Sequence, residues 1–188
     1  RRTTVLSNTY SKVTLGEVRR MRQKAHFEFD IDKYTKAGSI RCRNQHLEAL
    51  NRVKEAETTA DHLNILTDRQ TKVGVIASSL AWDYLVEVLV KYDQDLTRLK
   101  ISTAHPVPRG KIGHILQGVE RVLVLEELEP IIENRVRVQA SRMEVPPRVF
   151  GKEDGLVPKV GDLSPDLVRS ALSEVLEEEL EACPGPLH

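Results

Sequence analysis

Three short segments carry hydroxyl, imidazole and carboxylate groups where an α/β sheet would gather them. Ser78-Ser79 closes one apolar run, Thr103-Ala104-His105 closes a second, and Glu126-Glu127-Leu128-Glu129 closes a third. In open α/β sheets, ligands sit beyond the carboxyl ends of the strands. Ser78 and Ser79 offer N–H groups and hydroxyls to an anion there. The favoured reading of the pair is the cap of the following helix, a role serine strongly favours. His105 beside Glu127 is an acid–base pair on paper. The competing reading is that Glu127 and Glu129 complement a helix N-terminus, with His105 lining the turn before Pro106. The candidate crevice is therefore Ser78, Ser79, His105 and Glu127, on the warrant of fold position alone.

Other chemistries find no motif. The six histidines form no His-x-x-x-His pair and the two cysteines, Cys42 and Cys183, no Cys-x-x-Cys pair, so no zinc site is legible. Two cysteines fall short of the four thiolates of an iron–sulfur cluster and set no disulfide framework, which leaves a reducing cytoplasm as the expected compartment. There is no Gly-x-Ser-x-Gly and no P-loop. Twenty-eight basic residues balance 28 acidic ones, which argues against a nucleic-acid or membrane-surface binder. No apolar run approaches the roughly 20 residues that span a bilayer. The opening Arg1-Arg2-Thr3-Thr4 leads into a polar stretch rather than a signal peptide. It also lacks an initiator methionine, as expected of a chain that begins inside a longer polypeptide.

The elements that would position these groups follow from hydrophobic spacing. Leu15 to Ala25 reads as a short basic helix and residues 26–38 as loop. From Ser39, a plausible cap, Ile40, Leu47, Leu50, Val53, Ala56, Ala60 and Leu63 recur at three- and four-residue steps. That stripe is narrow and predicts a helix lying on a surface. From Lys72 the pattern changes. Strand-length apolar runs appear at 72–78, 99–103 and 121–126, with a further strand predicted over 145–150. Helical spacing fills 79–92, 111–117 and the stretch from Pro130 to about Ala140. Ser164-Pro165-Asp166 is a helix start with a cap, a proline and an acid in its first turn. Alternation of this kind predicts an α/β fold with a doubly wound, mainly parallel sheet over residues 70–181, after a mostly helical arm over 1–69.

Several of these segments, taken in order, resemble the alpha subunit of indolepyruvate ferredoxin oxidoreductase, in the 2-oxoacid:ferredoxin oxidoreductase family. Val122 to Pro130, continuing to Arg137, resembles that family's VVEELEPFIEEQVR stretch. Gly74 to Tyr84 resembles GIITSGIAYNYV, and Leu99 to Pro108 resembles LKLGMTYPLP. Gly151-Lys152 with Pro158 to Pro165 resembles GK…PKVGELTP, and Cys183-Pro184-Gly185 looks like the opening of CPGCPHR. The arm matches more loosely: Asn8 to Glu17 looks like the end of a pyrimidine-binding domain and residues 27–64 like a linker. Ser79 and Ser102 stand where the pattern has glycine, and His105 where it has tyrosine.

The resemblance implies a transketolase C-terminal-like domain over 70–181. Residues 182–188 would be a tail or the start of a diphosphate-binding domain. It implies oxidative decarboxylation of a 2-oxoacid, indolepyruvate-like or an aryl glyoxylate, to an acyl-CoA, with electrons passing to ferredoxin. Thiamine diphosphate, magnesium and [4Fe-4S] clusters are expected elsewhere in the complex, because neither the magnesium-binding Gly-Asp-Gly motif nor the cluster cysteines occur here. No catalytic residue carries over. The expected partners are the other subunits or domains, with ferredoxin and CoA serving the whole complex. The reading that competes with this connecting-domain role is a standalone module binding an anion or a CoA-type ligand at the strand ends.

Overall fold

Val73, Val75, Ile76 and Ala77 are almost wholly shielded from solvent, as a strand covered by helices on both faces must be. The computed structural model describes Lys12, Thr14, Gly16 and residues 28–31 and 38–181. The basic helix at 15–25, the loop over 26–38 and the Cys183 motif lie wholly or largely outside the described residues. The chain divides into two compact units, Arg1–Arg52 and Val53–His188. Helix α1 (Ser39–Thr59) runs across that division. In the first unit Ile40, Leu47 and Leu50 of its apolar stripe are exposed.

The second unit is built on a five-stranded sheet in the order β1-β3-β2-β4-β5, with β1 Ile65–Thr67, β2 Val73–Ser78, β3 Thr97–Ile101, β4 Arg121–Leu125 and β5 Arg148–Phe150. Strands β3, β2, β4 and β5 run parallel, and β1 adds an antiparallel edge on β3, with Ile65 opposite Lys100. That edge strand falls in the stretch whose sequence reads as a helical arm. Only three residues long and partly exposed, it carries too little periodicity to stand out, and it exists because β3 has an unpaired side to offer.

Helices cover both faces, as the doubly wound expectation requires. On one face α2 (Leu80–Lys91) and α5 (Pro165–Leu176) place Ala81, Leu85, Val88, Val168, Leu172 and Val175 against Val75, Ala77, Leu123 and Leu125. On the other, α3 (Arg109–Gly118) and α4 (Ile131–Ala140) place Ile112, Ile115, Leu116, Ile132 and Val136 against Ile76, Leu99, Val122 and Val124. Successive strand residues serve opposite cores, which is the two-residue period of the strand. Gly74 lets α3 approach β2 closely, since a Cβ there would lie 3.0 Å from both Ile115 and Val119. Among the described residues no helix is long and apolar enough to cross a membrane.

Candidate functional site

Strands β2 and β4 are neighbours, yet the helices that follow them pack on opposite faces of the sheet. Their connections therefore splay apart at the carboxyl ends, the place where ligands sit in open α/β sheets. Ser78, Ser79 and Glu127 belong to this switch point. Ser78 is half-buried at the end of β2 and Ser79 is exposed at the turn into α2. Neither hydroxyl makes a hydrogen bond among the described residues, and Ser79 gives α2 no side-chain cap. Its backbone instead takes φ 52 and ψ −135, a conformation natural to glycine and strained for serine. The turn from β2 into α2 thus demands the residue type that the resembling pattern has at this position.

Glu127 lies half-buried beyond β4. Its charge bears on two groups from other elements. The Tyr84 phenol has its pKa raised by burial and then by the Glu127 carboxylate. The Lys152 ammonium is pushed down by burial, against the opposing pull of Glu126, Glu133, Glu127 and Glu129.

The carboxylate that receives the N-terminus of α4 is Glu126. Its Oε2 accepts from the Ile132 N–H at 2.9 Å and its Oε1 from the Glu133 N–H at 2.8 Å. Burial raises the Glu126 pKa even though those two N–H groups favour the charged form. Pro130 precedes the first residue of α4, where its missing N–H costs nothing.

A second carboxylate, Glu133, is fully buried on the inner side of α4. It accepts from the Lys152 N–H at 2.6 Å, the Glu153 N–H at 3.1 Å and Arg137 Nε at 2.9 Å. Arg137 also bridges to Asp154, and the two carboxylates hold the guanidinium charged. A Cβ on Gly151 would overlap the Glu133 carboxylate, so this glycine makes room for it. Lys152 is itself buried and donates to the Pro158 carbonyl at 2.5 Å. The Gly151-Lys152 motif and the Glu133–Arg137 pair of α4 are thus halves of one interlock that fastens β5 and its following loop to α4. Sequence reasoning passed over Glu133. The available signal was an acid on the inward face of a helix whose neighbours Ile132 and Val136 are core, with an arginine one turn on.

His105 does not join this group. The loop after β3 is drawn to the other side by Asn64, whose buried Oδ1 accepts from the Ser102 N–H at 2.9 Å and the Thr103 N–H at 3.2 Å. The Ser102 hydroxyl adds a bond to the Leu63 carbonyl at 2.7 Å, and Lys111 Nζ holds the Asp61 and Asn64 carbonyls, each at 2.6 Å. His105 ends exposed on the rim of a cleft of about 390 Å³ between α3 and α4. The four candidate residues are thus distributed over two places, three at the switch point and one in the helix-side cleft. Among the described residues no group of three or more His, Cys, Asp or Glu side chains is placed to hold a metal ion. The polar groups of Glu126, Glu133, Arg137 and Lys152 satisfy backbone and one another, which is the chemistry of a fastening.

No family model matches the chain. Among curated proteins it is similar to the indolepyruvate oxidoreductase subunit IorA of several archaea. It is 30% identical to that of Methanothermobacter thermautotrophicus over 92% of this chain. It is 31% identical to that of Pyrococcus horikoshii over 95% of this chain, and 26% identical to that of Archaeoglobus fulgidus over 92%. The chain spans about 28% of the length of the first two. The family resemblance carried by the sequence motifs is thereby borne out: over nearly its whole length this chain is a relative of the IorA subunits.

Proposed function

We propose that this chain, a relative of one stretch of the IorA subunits, supplies the connecting, transketolase C-terminal-like domain of a thiamine diphosphate-dependent 2-oxoacid:ferredoxin oxidoreductase. The whole enzyme would act in the cytoplasm. It would decarboxylate a 2-oxoacid of the indolepyruvate or aryl glyoxylate type oxidatively to an acyl-CoA and pass electrons through iron–sulfur clusters to ferredoxin. This chain's part is to hold neighbouring domains at fixed spacing. The observation that carries the reading is the near-complete alignment of the chain with a stretch of the IorA subunits.

The use made of the motif residues supports it. Glu126 caps α4, Gly151 makes room for Glu133, Lys152 closes onto Pro158, and Ser164 Oγ caps α5 by accepting from the Leu167 N–H at 3.3 Å. Residues of the family pattern are engaged in building the domain rather than in aiming groups at a substrate. Neither thiamine diphosphate with its magnesium nor a [4Fe-4S] cluster fits the donor set. The chain has two cysteines, and the buried carboxylates Glu126 and Glu133 are already engaged by N–H groups and a guanidinium. We place those cofactors on other domains or subunits and route no step through them here.

The test is reconstitution of 2-oxoacid-dependent ferredoxin reduction from the remaining parts of the enzyme, with and without this chain. Activity and assembly are expected only when it is present. Assembly and turnover that are unchanged by its omission would refute the proposal.

A further inference from the structure

The cleft that receives His105 has an unusual charge pattern for a chain with equal numbers of acids and bases. Its lining includes Arg109, Arg135 and Arg142 beside His105, with Val107 and Val138, and among the described residues no carboxylate lines it. Arg109 has an acid within reach, Glu57 Oε1 at 3.7 Å from its Nε. The Arg135 and Arg142 side chains make no hydrogen bond or ion pair among the described residues. Both stand on the outward stripe of the α4 helix and its C-terminal extension, Ile131, Arg135, Val138 and Arg142, at three- and four-residue steps. The opposite stripe, Ile132, Val136 and Ala140, is in the core.

The walls are fixed to each other. Gln139 Nε2 of α4 donates to the Arg109 carbonyl at the start of α3 at 2.8 Å, and a Cβ on Gly113 would lie 2.8 Å from that same nitrogen. The α3–α4 spacing, and with it the mouth of the cleft, is therefore held by a side chain rather than by helix packing alone. A fixed concavity lined by apolar side chains and three arginines is the arrangement that takes an anionic group carried on an apolar body.

We infer that this cleft binds a small multiply charged anion, with phosphate or carboxylate groups held by Arg135, Arg142 and Arg109 and an apolar portion laid against Val107 and Val138. The inference stands on this cleft alone and does not depend on the enzyme assignment. It also moves anion recognition away from the strand ends, where serine hydroxyls were the sequence candidates, to the helix-lined side.

The probes are sodium tripolyphosphate and citrate, titrated calorimetrically into the full chain at about 0.15 M salt, where diffuse surface attraction is largely screened. Saturable one-to-one binding of either, with a dissociation constant below about 1 mM, is expected. Tripolyphosphate alone assigns a phosphate ligand, citrate alone a carboxylate ligand, and both together an anion site indifferent to the group. Arg135→Gln with Arg142→Gln should weaken binding by about tenfold or more, while Lys72→Gln, whose exposed ammonium pairs with Glu120 outside the cleft, should leave it unchanged. Val138→Glu, which sets a carboxylate in the cleft without touching an arginine, should also abolish binding. Thermal unfolding of each variant separates loss of the site from loss of the fold. The inference is overturned if neither probe binds saturably, or if Lys72→Gln weakens binding as much as the double arginine variant does.

Discussion

Gly151 and Glu133 should be strongly coupled in stability, and the coupling can be worked from their geometry. Gly151 has a φ outside the left-handed region, so alanine there adds a methyl group without backbone strain. That methyl would overlap a carboxylate that cannot swing aside, because two backbone N–H groups and the Arg137 guanidinium pin it in a fully buried position. Either the carboxylate yields some of those bonds or β5 shifts, and overpacking of this kind costs about 1–3 kcal/mol. Glu133→Ala alone strands the Lys152 and Glu153 N–H groups and half of the Arg137 pairing. Removing one partner of a buried, bonded pair costs about 3–5 kcal/mol. When Gly151→Ala is added to Glu133→Ala, the carboxylate is already gone and the new methyl enters the space it left, so the second change costs about 0.5 kcal/mol or less. The double-mutant cycle should therefore show an interaction energy of about 2 kcal/mol. The assay is urea unfolding followed by the fluorescence of Trp82, the single tryptophan, which packs against the α2–α5 core. In a chain of this size, 2 kcal/mol corresponds to about 4–8 °C in Tm. Additivity within about 0.5 kcal/mol, or a neutral Gly151→Ala in the wild-type background, would show that the glycine is not there for the carboxylate.

Two further outcomes are expected. Ser79→Gly should stabilise the fold by about 1 kcal/mol, since relief of about 1–3 kcal/mol of strain at φ 52 exceeds the 0.5–1 kcal/mol or so of added chain entropy; a lowered Tm would contradict this. Glu126→Gln should alter the pH dependence. The folded state holds the Glu126 pKa above its ordinary 4.5, so it binds more protons than the unfolded chain, and the group's contribution is full below that value and declines as pH rises through the raised one. The glutamine variant, which does not titrate, should gain on wild type in urea midpoints as pH rises above 4.5, and a relative loss on that rise would reverse the sign of the argument.

Much of the second unit could be read from spacing. The apolar runs at 72–78 and 121–126 are β2 and β4, because strands buried on both faces need continuous apolar side chains and little else supplies them. Ser164-Pro165-Asp166 begins α5 as its cap chemistry requires. The β1 edge was not legible: three partly exposed residues acquire strand character only from the partner that pairs with them. Nor was the fastening role of Glu133, since a carboxylate can be buried only where donors from distant chain segments meet it, and those donors come from residues 152 and 153.

By itself the sequence determined the alternation of strands and helices, the two-sided burial of the central strands and the kinship of the chain, since each is written in local periodicity or in ordered motifs. Tertiary structure alone decided which polar groups meet. Glu126 rather than its neighbours caps α4 because the strand ends one residue earlier and turns its side chain inward. His105 parts from Ser78, Ser79 and Glu127 because Asn64, 38 residues before Ser102 in the chain, holds the β3 loop toward α3. Hydrophobic period is a property of neighbours along the chain, whereas a hydrogen bond between such distant residues depends on where the whole sheet has brought them.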